Sequence, residues 1–169
     1  MPKFINWVPT EEDDVSFFFQ LAPVSSSDIV YDLGSGDGRL LIAAIEKGAT
    51  KCAGIDIDPE RIKVARKTVK NRGLDSQITF IESDVMDVNL SGASVIFCYL
   101  FPTASAALRP KFEKELKPGT RVVMEQFPIP GWRPAEVIEN GIGRRFLLYI
   151  LPAEKTADYE TAIKDWVNP

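Results

Sequence analysis

Three glycines at alternate positions, Gly34, Gly36 and Gly38, separate an apolar segment from an amphipathic one. The apolar segment, Ile29–Leu33, is typical of a buried strand, and the segment from Arg39 to about Lys47 is typical of a helix with one apolar face. Glycine permits tight turns and lets the backbone approach a ligand closely. A glycine loop between a strand and a helix therefore predicts a βα unit that binds a ligand at the loop.

The rest of the chain continues this alternation, and its 169 residues contain no repeat or linker. The predicted helices are Thr10 to about Leu21, Pro59 to about Arg72, and Thr103–Leu116, and the predicted strands are Cys52–Asp56, Ile78–Ile81, Val95–Leu100 and Arg121–Glu125. Thr10-Glu11-Glu12-Asp13 resembles a capping box at the start of the first helix, and Pro110 is expected to kink or divide the last one.

Near the C-terminus, Glu136–Ile138 and Phe146–Leu151 flank a turn at Asn140-Gly141, which predicts a hairpin. Five βα units followed by a hairpin predict an α/β fold. We expect a doubly wound, mostly parallel Rossmann-like sheet that ends in a C-terminal antiparallel hairpin.

The chain contains no histidine, which excludes a Ser-His-Asp triad, a Cys-His pair and His-based zinc catalysis. Cys52 and Cys98 lack metal-like spacing, so no metal site is predicted and both are expected to be reduced, buried thiols. The longest apolar run, Val95–Phe101, is far too short to span a membrane, and no secretion signal is visible. We therefore expect a cytoplasmic protein without a membrane partner.

The net charge of −4 opposes non-specific nucleic-acid binding, so a nucleic-acid partner is not expected. The predicted helix Pro59–Arg72 is the exception, because it carries six Lys and Arg residues and only one acid, Glu60. This pattern indicates a solvated helix face, with a nucleic-acid role as the alternative. The acidic remainder, including Glu11–Asp14, could attract basic protein substrates.

Acidic side chains around the glycine loop constrain the ligand. Asp56 follows Gly34 at roughly the 20-residue distance at which an acid can accept hydrogen bonds from ribose hydroxyls. Asp32 and Asp37 oppose a pyrophosphate, because like charges about 4 Å apart repel by about 4 kcal/mol at a dielectric near 20. S-adenosyl-L-methionine instead carries an ammonium and a sulfonium, so we predict it as the cofactor. The alternative is a structural turn in which Asp37 caps the helix.

Segments 32–39 (Asp-Leu-Gly-Ser-Gly-Asp-Gly-Arg), 54–59 (Gly-Ile-Asp-Ile-Asp-Pro) and 82–84 (Glu-Ser-Asp) resemble successive cofactor motifs of class I S-adenosylmethionine-dependent methyltransferases. The resemblance runs from about Val8 to Leu151. It is closest to a group of small enzymes similar to the archaeal protein-lysine methyltransferase and its mitochondrial relatives. The segments that carry this closer resemblance are 8–10, 31–34, 99–102 and 116–123, continued by Phe127 and Trp132.

The resemblance implies roles by position. Asp32, Gly34 and Gly36, with Ser35 between them, would frame the methionine end of the cofactor. The other implied cofactor contacts are Asp56 at the ribose, Ile57 against the adenine, Asp84 near the adenine amino group with Val85 beside it, and Pro9 and Thr10 closing over the cofactor. Asp84 could instead cap a turn, and Thr10 could cap a helix.

The resemblance also implies that Tyr99 enters the methyl-transfer site, although it could instead be a core aromatic. An acceptor lysine must arrive neutral, and a desolvating pocket would help it lose its proton. Candidate walls of that pocket are Phe101, Phe127 and Trp132, and Glu125 could orient the amine. Two departures qualify this: segment 124–127 differs from the archaeal pattern, and the Asn/Asp-Pro-Pro-Tyr tetrapeptide of adenine-N6 and glutamine methyltransferases is absent.

The resemblance therefore implies one methyltransferase domain over residues 1–169: an N-terminal lid or helix (1–24), cofactor-binding βα units (25–127), the hairpin (128–151) and a tail (152–169) that could form a short helix. The expected function is protein-lysine N-methylation of substrates with exposed lysines, and the oligomeric state stays open. The alternatives are a small-molecule or RNA acceptor, a cofactor-binding module without turnover, and a nicotinamide-dependent oxidoreductase.

Overall fold

A computed structural model describes residues 9–162, which form a seven-stranded sheet flanked by helices, with a separate two-stranded sheet. The helices are α1 (Val15–Leu21), α2 (Arg39–Glu46), α3 (Pro59–Asn71) and α4 (Pro102–Glu115). The strands are β1 (Ile29–Leu33), β2 (Lys51–Asp56), β3 (Ile78–Glu82), β4 (Val95–Cys98), β5 (Arg121–Glu125), β6 (Trp132–Arg133), β7 (Glu136–Glu139), β8 (Arg145–Ile150) and β9 (Glu154–Lys155).

The strand order of the large sheet is β3-β2-β1-β4-β5-β8-β7. The first five strands pair in parallel, and β8 pairs antiparallel with both β5 and β7. The predicted α/β fold with a C-terminal antiparallel hairpin is therefore confirmed. Strand order reverses between β1 and β4, and in open α/β sheets this switch point opens a ligand crevice at the carboxyl ends of the strands.

Alternate residues of each central strand pack on opposite faces of the sheet. On β4, Val95 and Phe97 join a buried cluster that includes residues of α1, α2 and α3. Ile96 and Cys98 join a second cluster, which includes Leu108 and Phe112 of α4. A strand covered on both sides needs apolar residues at every position, which explains the uninterrupted apolar run in the sequence.

Two predicted details of these elements are wrong: the end of the fourth strand and the possible division of the last helix at Pro110. The fourth strand ends at Cys98, so Tyr99 and Leu100 lie beyond it in a loop. Helix α4 continues through Pro110, which is exposed and lies between the buried residues Leu108 and Phe112. Packing on both sides of the proline thus keeps the helix in one piece, although the proline supplies no backbone donor.

The start of the first helix also differs from the prediction. A 3₁₀ turn at Glu12–Asp14 precedes α1, and the N-cap residues of the two elements, Glu11 and Asp14, make no capping side-chain hydrogen bond within the described part of the chain. The Thr10 hydroxyl donates to Glu125 instead, so the capping-box prediction is wrong. A tertiary hydrogen bond to a buried carboxylate has taken the place of the local cap.

The tail contains a strand that the sequence analysis missed. β9 pairs antiparallel with β6 through Trp132 and Arg133. The tail was expected to be either irregular or a short helix. Residues 157–162 form turns, and residues 163–169 lie outside the described part of the chain. Within residues 9–162, no helix is both long and apolar enough to cross a membrane, and no cluster of three His, Cys, Asp or Glu side chains could hold a metal ion.

Candidate functional site

A pocket opens at the carboxyl ends of β1 and β4, at the switch point of the sheet. Its walls come from residues 9–10, called here the N-terminal segment, and from the glycine loop, the start of α2 and the residue after β4. The lining residues are Pro9, Thr10, Asp32, Gly34, Ser35, Asp37, Arg39, Leu40 and Tyr99. The structure thus brings together six residues that the sequence analysis placed at the cofactor or the methyl-transfer site: Pro9, Thr10, Asp32, Gly34, Ser35 and Tyr99.

The glycine loop is held against the second strand by backbone hydrogen bonds. The amides of Gly34 and Ser35 donate to the carbonyl of Ile55, at 2.8 and 2.9 Å. Gly34 has φ +83°, and a Cβ there would lie 2.8 Å from Cδ2 of Leu100. The loop conformation and its close approach to the segment after β4 therefore both require glycine at this position.

Asp32 supplies an unpaired carboxylate to the pocket. Asp32 is 3% exposed, and no donor within residues 9–162 forms a hydrogen bond with its side chain. Burial raises the pKa of Asp32 well above its ordinary value, and the nearby charges of Asp56, Asp37 and Glu125 raise it further. A buried acid among other acids is stabilised by a cationic ligand, because the added positive charge offsets the repulsion.

Ser35 supplies a second polar group without a partner. Its Oγ is buried and makes no hydrogen bond with any residue of the described range 9–162. The side chain rests on Gly54 of β2, where a Cβ would lie 2.7 Å from Ser35 Oγ. Buried hydroxyls are normally hydrogen-bonded, so this one is available to a ligand in the pocket.

Asp56, at the end of β2, joins the glycine loop to α3. Its Oδ2 accepts from the Gly36 amide at 2.9 Å, and its Oδ1 accepts from the Asp58 amide at 2.9 Å and from Arg61 Nη2 at 3.0 Å. The second lone pair of Oδ2 is suited to a ribose hydroxyl. The predicted ribose contact stays a prediction, and the structure adds a role in holding the loop.

The predicted adenine-side residues lie at the carboxyl ends of β2 and β3. Ile57 follows β2 and is 55% exposed, so its apolar surface is accessible to a flat ligand. Asp84 accepts from the Met86 amide at 2.9 Å and so caps a 3₁₀ turn, the alternative role considered for it. Val85, the next residue, is half-buried. Contacts of these three residues with adenine stay predictions.

Arg39, at the start of α2, is a pocket residue to which the sequence analysis gave no role. Its Nη1 donates to the Thr10 carbonyl at 2.8 Å, and its Nη2 pairs with Asp37 Oδ2 at 2.6 Å. Burial opposes ionisation of Asp37, but the hydrogen bonds and charge of Arg39 outweigh it and lower the pKa of Asp37. Arg39 therefore fastens the N-terminal segment to the glycine loop. Its position directly after the third glycine could have indicated that it lies at the pocket.

Glu125, at the end of β5, has no exposed surface. Its Oε2 accepts from Thr10 Oγ1 at 2.7 Å, and its Oε1 accepts from Arg144 Nη1 at 2.8 Å. Burial raises the pKa of Glu125, although both hydrogen bonds act against this effect. Arg144 also lies 3.5 Å from Asp14 Oδ2, and Asn140 donates to Asp14 Oδ1 at 2.7 Å. We call these five residues the Glu125 cluster.

Tyr99 stands between the pocket and the Glu125 cluster. It is half-buried, and the Arg144 guanidinium lies 5.8 Å from the centre of its ring. Burial raises the pKa of Tyr99, and the charge of Glu125 acts in the same direction. The phenol therefore stays protonated at neutral pH and can donate a hydrogen bond into the pocket.

The aromatic walls predicted for an acceptor pocket are not brought together. Phe101 is 47% exposed at the start of α4, and Phe127 is half-buried after β5. Trp132 is buried against Phe112 and Tyr149, and its indole donates to Glu113 at 3.1 Å. The structure thus assigns Trp132 to the core beneath α4, because its apolar ring and its N–H both find partners there.

Three kinds of comparison relate the chain to known proteins. The model of a family described as the ANTKMT methyltransferase domain matches residues 32–136. This range begins at Asp32, includes the whole glycine loop, and ends at the first residue of β7.

Among characterised relatives, a protein-lysine N-methyltransferase of Saccharolobus islandicus is 39% identical, over 89% of this chain and 96% of its own. The adenine nucleotide translocase lysine N-methyltransferase of Mus musculus is 33% identical over 67% of this chain, and a further lysine N-methyltransferase, of Homo sapiens, is 35% identical over 66%. The match covers 49% and 47% of these two mammalian proteins, so the chain spans about half their length.

Among solved structures, an RNA methyltransferase from Salinibacter ruber in complex with S-adenosyl-L-homocysteine has a TM-score of 0.84 and 36% identity. The structural match covers 90% of this chain and 99% of the Salinibacter ruber chain. A ribosomal protein L11 methylase from Lactobacillus delbrueckii subsp. bulgaricus has a TM-score of 0.68 at 15% identity, over 89% of this chain and 91% of its own, and shares the fold.

Proposed function

Because the chain belongs to the ANTKMT methyltransferase domain family, we propose that it methylates the side-chain amine of lysine residues in proteins. It is an S-adenosylmethionine-dependent methyltransferase, and the lysine acceptor is the proposed part. The single observation that carries the proposal is the 39% identity, over nearly the full length of both chains, to a protein-lysine N-methyltransferase.

The pocket residues fit this cofactor. The Asp32 carboxylate has no donor among the described residues, and the ammonium of the methionine moiety is a donor of matching charge. Ser35 Oγ, which has no hydrogen bond to any described residue, can donate to the carboxylate of that moiety. Asp56 and Ile57 would hold the ribose and the adenine, with Asp84 and Val85 beyond them.

The cofactor supplies an activated methyl group on a sulfonium, so the protein supplies alignment and exclusion of water. Pro9 and Thr10 cover the pocket from the N-terminal side, where Arg39 and Glu125 fix Thr10. Tyr99 lies at the pocket with a protonated hydroxyl, which can accept a hydrogen bond from an approaching amine and so orient its lone pair.

Charge at the entrance favours a cationic acceptor. Glu11, Glu12 and Asp13 are exposed on the turn that follows Thr10. Their field attracts a lysine side chain and repels the phosphates of RNA. Deeper in the site, burial raises the pKa of Asp32, and a cationic group close to it would favour its charged form. We place the reaction in the cytoplasm, because both cysteines are free and buried, as expected in a reducing compartment.

RNA is the second candidate acceptor, since the Salinibacter ruber relative is described as an RNA methyltransferase. The basic surface that could bind RNA is one face of α3, where Lys63, Lys67 and Lys70 are exposed. However, α3 packs on β2 and β3, whereas Tyr99 and the Glu125 cluster lie at the ends of β4 and β5. The basic face is thus on the adenine side of the cofactor, away from the methyl-transfer side.

The test is to incubate the protein with methyl-labelled cofactor in two separate arms. One arm contains a lysine-rich polypeptide, with a matched arginine-rich polypeptide as control, and the other contains total RNA. We expect label on the lysine polypeptide alone, and mass spectrometry should locate it on side-chain nitrogens. Label on RNA alone would contradict the lysine proposal, and label on neither, with tight S-adenosylhomocysteine binding, would favour a binding module without turnover.

A further inference from the structure

Arg144, in the loop between β7 and β8, contacts acidic and aromatic partners from three other segments. Its Nη1 lies 2.8 Å from Glu125 Oε1 and 3.5 Å from Asp14 Oδ2. Its guanidinium lies 5.8 Å from the centre of the Tyr99 ring. Arg144 therefore joins the hairpin to the end of β5, to the turn before α1 and to the wall of the pocket.

Both carboxylates depend on this cation. Glu125 has no exposed surface and Asp14 is also buried. Among the residues that the structure describes, none forms a hydrogen bond with Asp14 Oδ2. The cost of burying a carboxylate is offset only when a counter-ion or donors surround it. Without Arg144, Glu125 would become protonated or turn away from its present position.

Glu125 in turn fixes the segment that covers the pocket. Its Oε2 accepts from the Thr10 hydroxyl, and the Thr10 carbonyl accepts from Arg39. Thr10 is thus held on one side by the glycine loop and on the other by the Glu125 cluster. Since Pro9 and Thr10 line the pocket, displacing Glu125 would release one of these two attachments.

We propose that Arg144 is a positioning residue for methyl transfer. It keeps the Glu125 carboxylate directed at Thr10, and through this contact it holds Pro9 and Thr10 at the wall of the cofactor pocket. It also fixes the ring of Tyr99 at the pocket wall. The proposal rests on the cofactor occupying this pocket, and it is independent of whether the acceptor is lysine.

A double-mutant cycle tests this connection. The variants are Thr10→Val, Arg144→Gln and the double variant, and the quantity measured is the Kd of S-adenosylhomocysteine by titration calorimetry. We expect each single variant to bind about tenfold more weakly, or about 1.4 kcal/mol. Because both changes break one chain of contacts, the double variant should also lose about tenfold. A double variant that loses about a hundredfold, the product of independent effects, overturns the proposal.

Two further variants separate positioning from general stability. Arg145→Gln makes the same charge change at the adjacent exposed position and should leave the Kd unchanged. Arg144→Lys keeps the charge and should restore part of the affinity. If Arg144→Gln fails to fold, Arg144→Met, which also removes the charge, takes its place in the cycle. A merely structural role would lower the melting temperature without coupling to Thr10.

Hydrogen exchange supplies an independent readout. The amides of residues 10–14 should exchange faster in Arg144→Gln and in Thr10→Val to the same extent, and the double variant should show no further increase. Exchange that is unchanged in Arg144→Gln overturns the proposal. Failure of the wild-type protein to bind S-adenosylhomocysteine contradicts the cofactor pocket itself, whereas normal binding with an additive cycle contradicts only the role of Arg144.

Discussion

Thr10 Oγ1 donates a 2.7 Å hydrogen bond to Glu125 Oε2 across 115 positions of sequence. Thr10 precedes the first helix, and Glu125 ends the fifth strand, next to the antiparallel hairpin. Both side chains are buried. This bond therefore ties the N-terminal cover of the pocket to the far half of the sheet, and it explains why Thr10 is not used as a helix cap.

Replacing Thr10 by Val should lower the free energy of unfolding by about 1–3 kcal/mol, because it leaves a buried carboxylate oxygen without its donor. Urea unfolding of the ligand-free protein measures this loss. Thr10→Ser is the matched control, since it retains the hydroxyl, and it should lose less. A larger loss in Thr10→Ser than in Thr10→Val would show that the methyl group of Thr10 stabilises the segment more than its hydroxyl does.

Gly38 should tolerate alanine less well than Gly119 does. Both have positive φ, +82° and +88°, so the backbone strain on substitution is similar. A Cβ at Gly38 would lie 2.8 Å from Cζ of the buried Phe80, whereas nothing lies within 4 Å of one at Gly119. At Gly119, where only backbone strain acts, alanine should lower the free energy of unfolding by about 1 kcal/mol. At Gly38, overpacking should lower it by about 1–3 kcal/mol more. Urea unfolding of the two variants measures this difference. Equal denaturant midpoints would contradict the prediction and would show that Phe80 moves aside without cost.

The glycine loop and the order of strands and helices could be predicted from the sequence because their signals are local. Gly34 and Gly38 have positive φ, and Asp56 ends β2 as its spacing from the loop predicts. These features depend on the conformation of a few adjacent residues. The strand-helix alternation likewise follows from apolar periodicity within each segment.

The Glu125 cluster could not be predicted in the same way. It joins the turn before α1, the end of β5 and the hairpin loop, and nothing in the sequence near Arg144 or Asp14 indicates that they meet. Trp132 was misplaced for a related reason: an aromatic residue suits an acceptor pocket and a core equally well. Only the partners that it finds, Phe112, Tyr149 and Glu113, decide between them.

Replacing Tyr99 by Phe should reduce turnover with little effect on cofactor affinity. The hydroxyl is protonated at neutral pH, and its proposed role is to orient the acceptor amine, which the methyl donor does not require. We expect kcat to fall by up to about tenfold, the factor that corresponds to the loss of one neutral hydrogen bond of about 1.4 kcal/mol. Steady-state rates and the Kd of S-adenosylhomocysteine test this pair of outcomes. An unaltered kcat would assign Tyr99 to packing against Arg144.

Replacing Asp32 by Asn should weaken the binding of S-adenosylhomocysteine by about tenfold to a hundredfold, as expected when a donor loses a charged acceptor. The neutral amide keeps the shape of the side chain and removes its attraction for the ammonium group. Asp13→Asn removes one charge from the exposed turn near the entrance and serves as the control, with affinity expected to stay nearly unchanged. Equal affinity in wild type and Asp32→Asn would place the ammonium elsewhere.

The same substitution should stabilise the ligand-free protein in a pH-dependent way. Because the pKa of Asp32 is raised on folding, the folded state holds this proton more tightly than the unfolded state does. The wild-type protein therefore loses stability as the pH rises from the ordinary value of 3.8 towards the raised pKa, and Asn removes that loss. Urea unfolding of both proteins from about pH 4 to about pH 8 should show the advantage of Asp32→Asn growing and then levelling off above the pKa of Asp32. Parallel stability curves would mean that the carboxylate finds, in the folded protein, a donor or cation that offsets its burial.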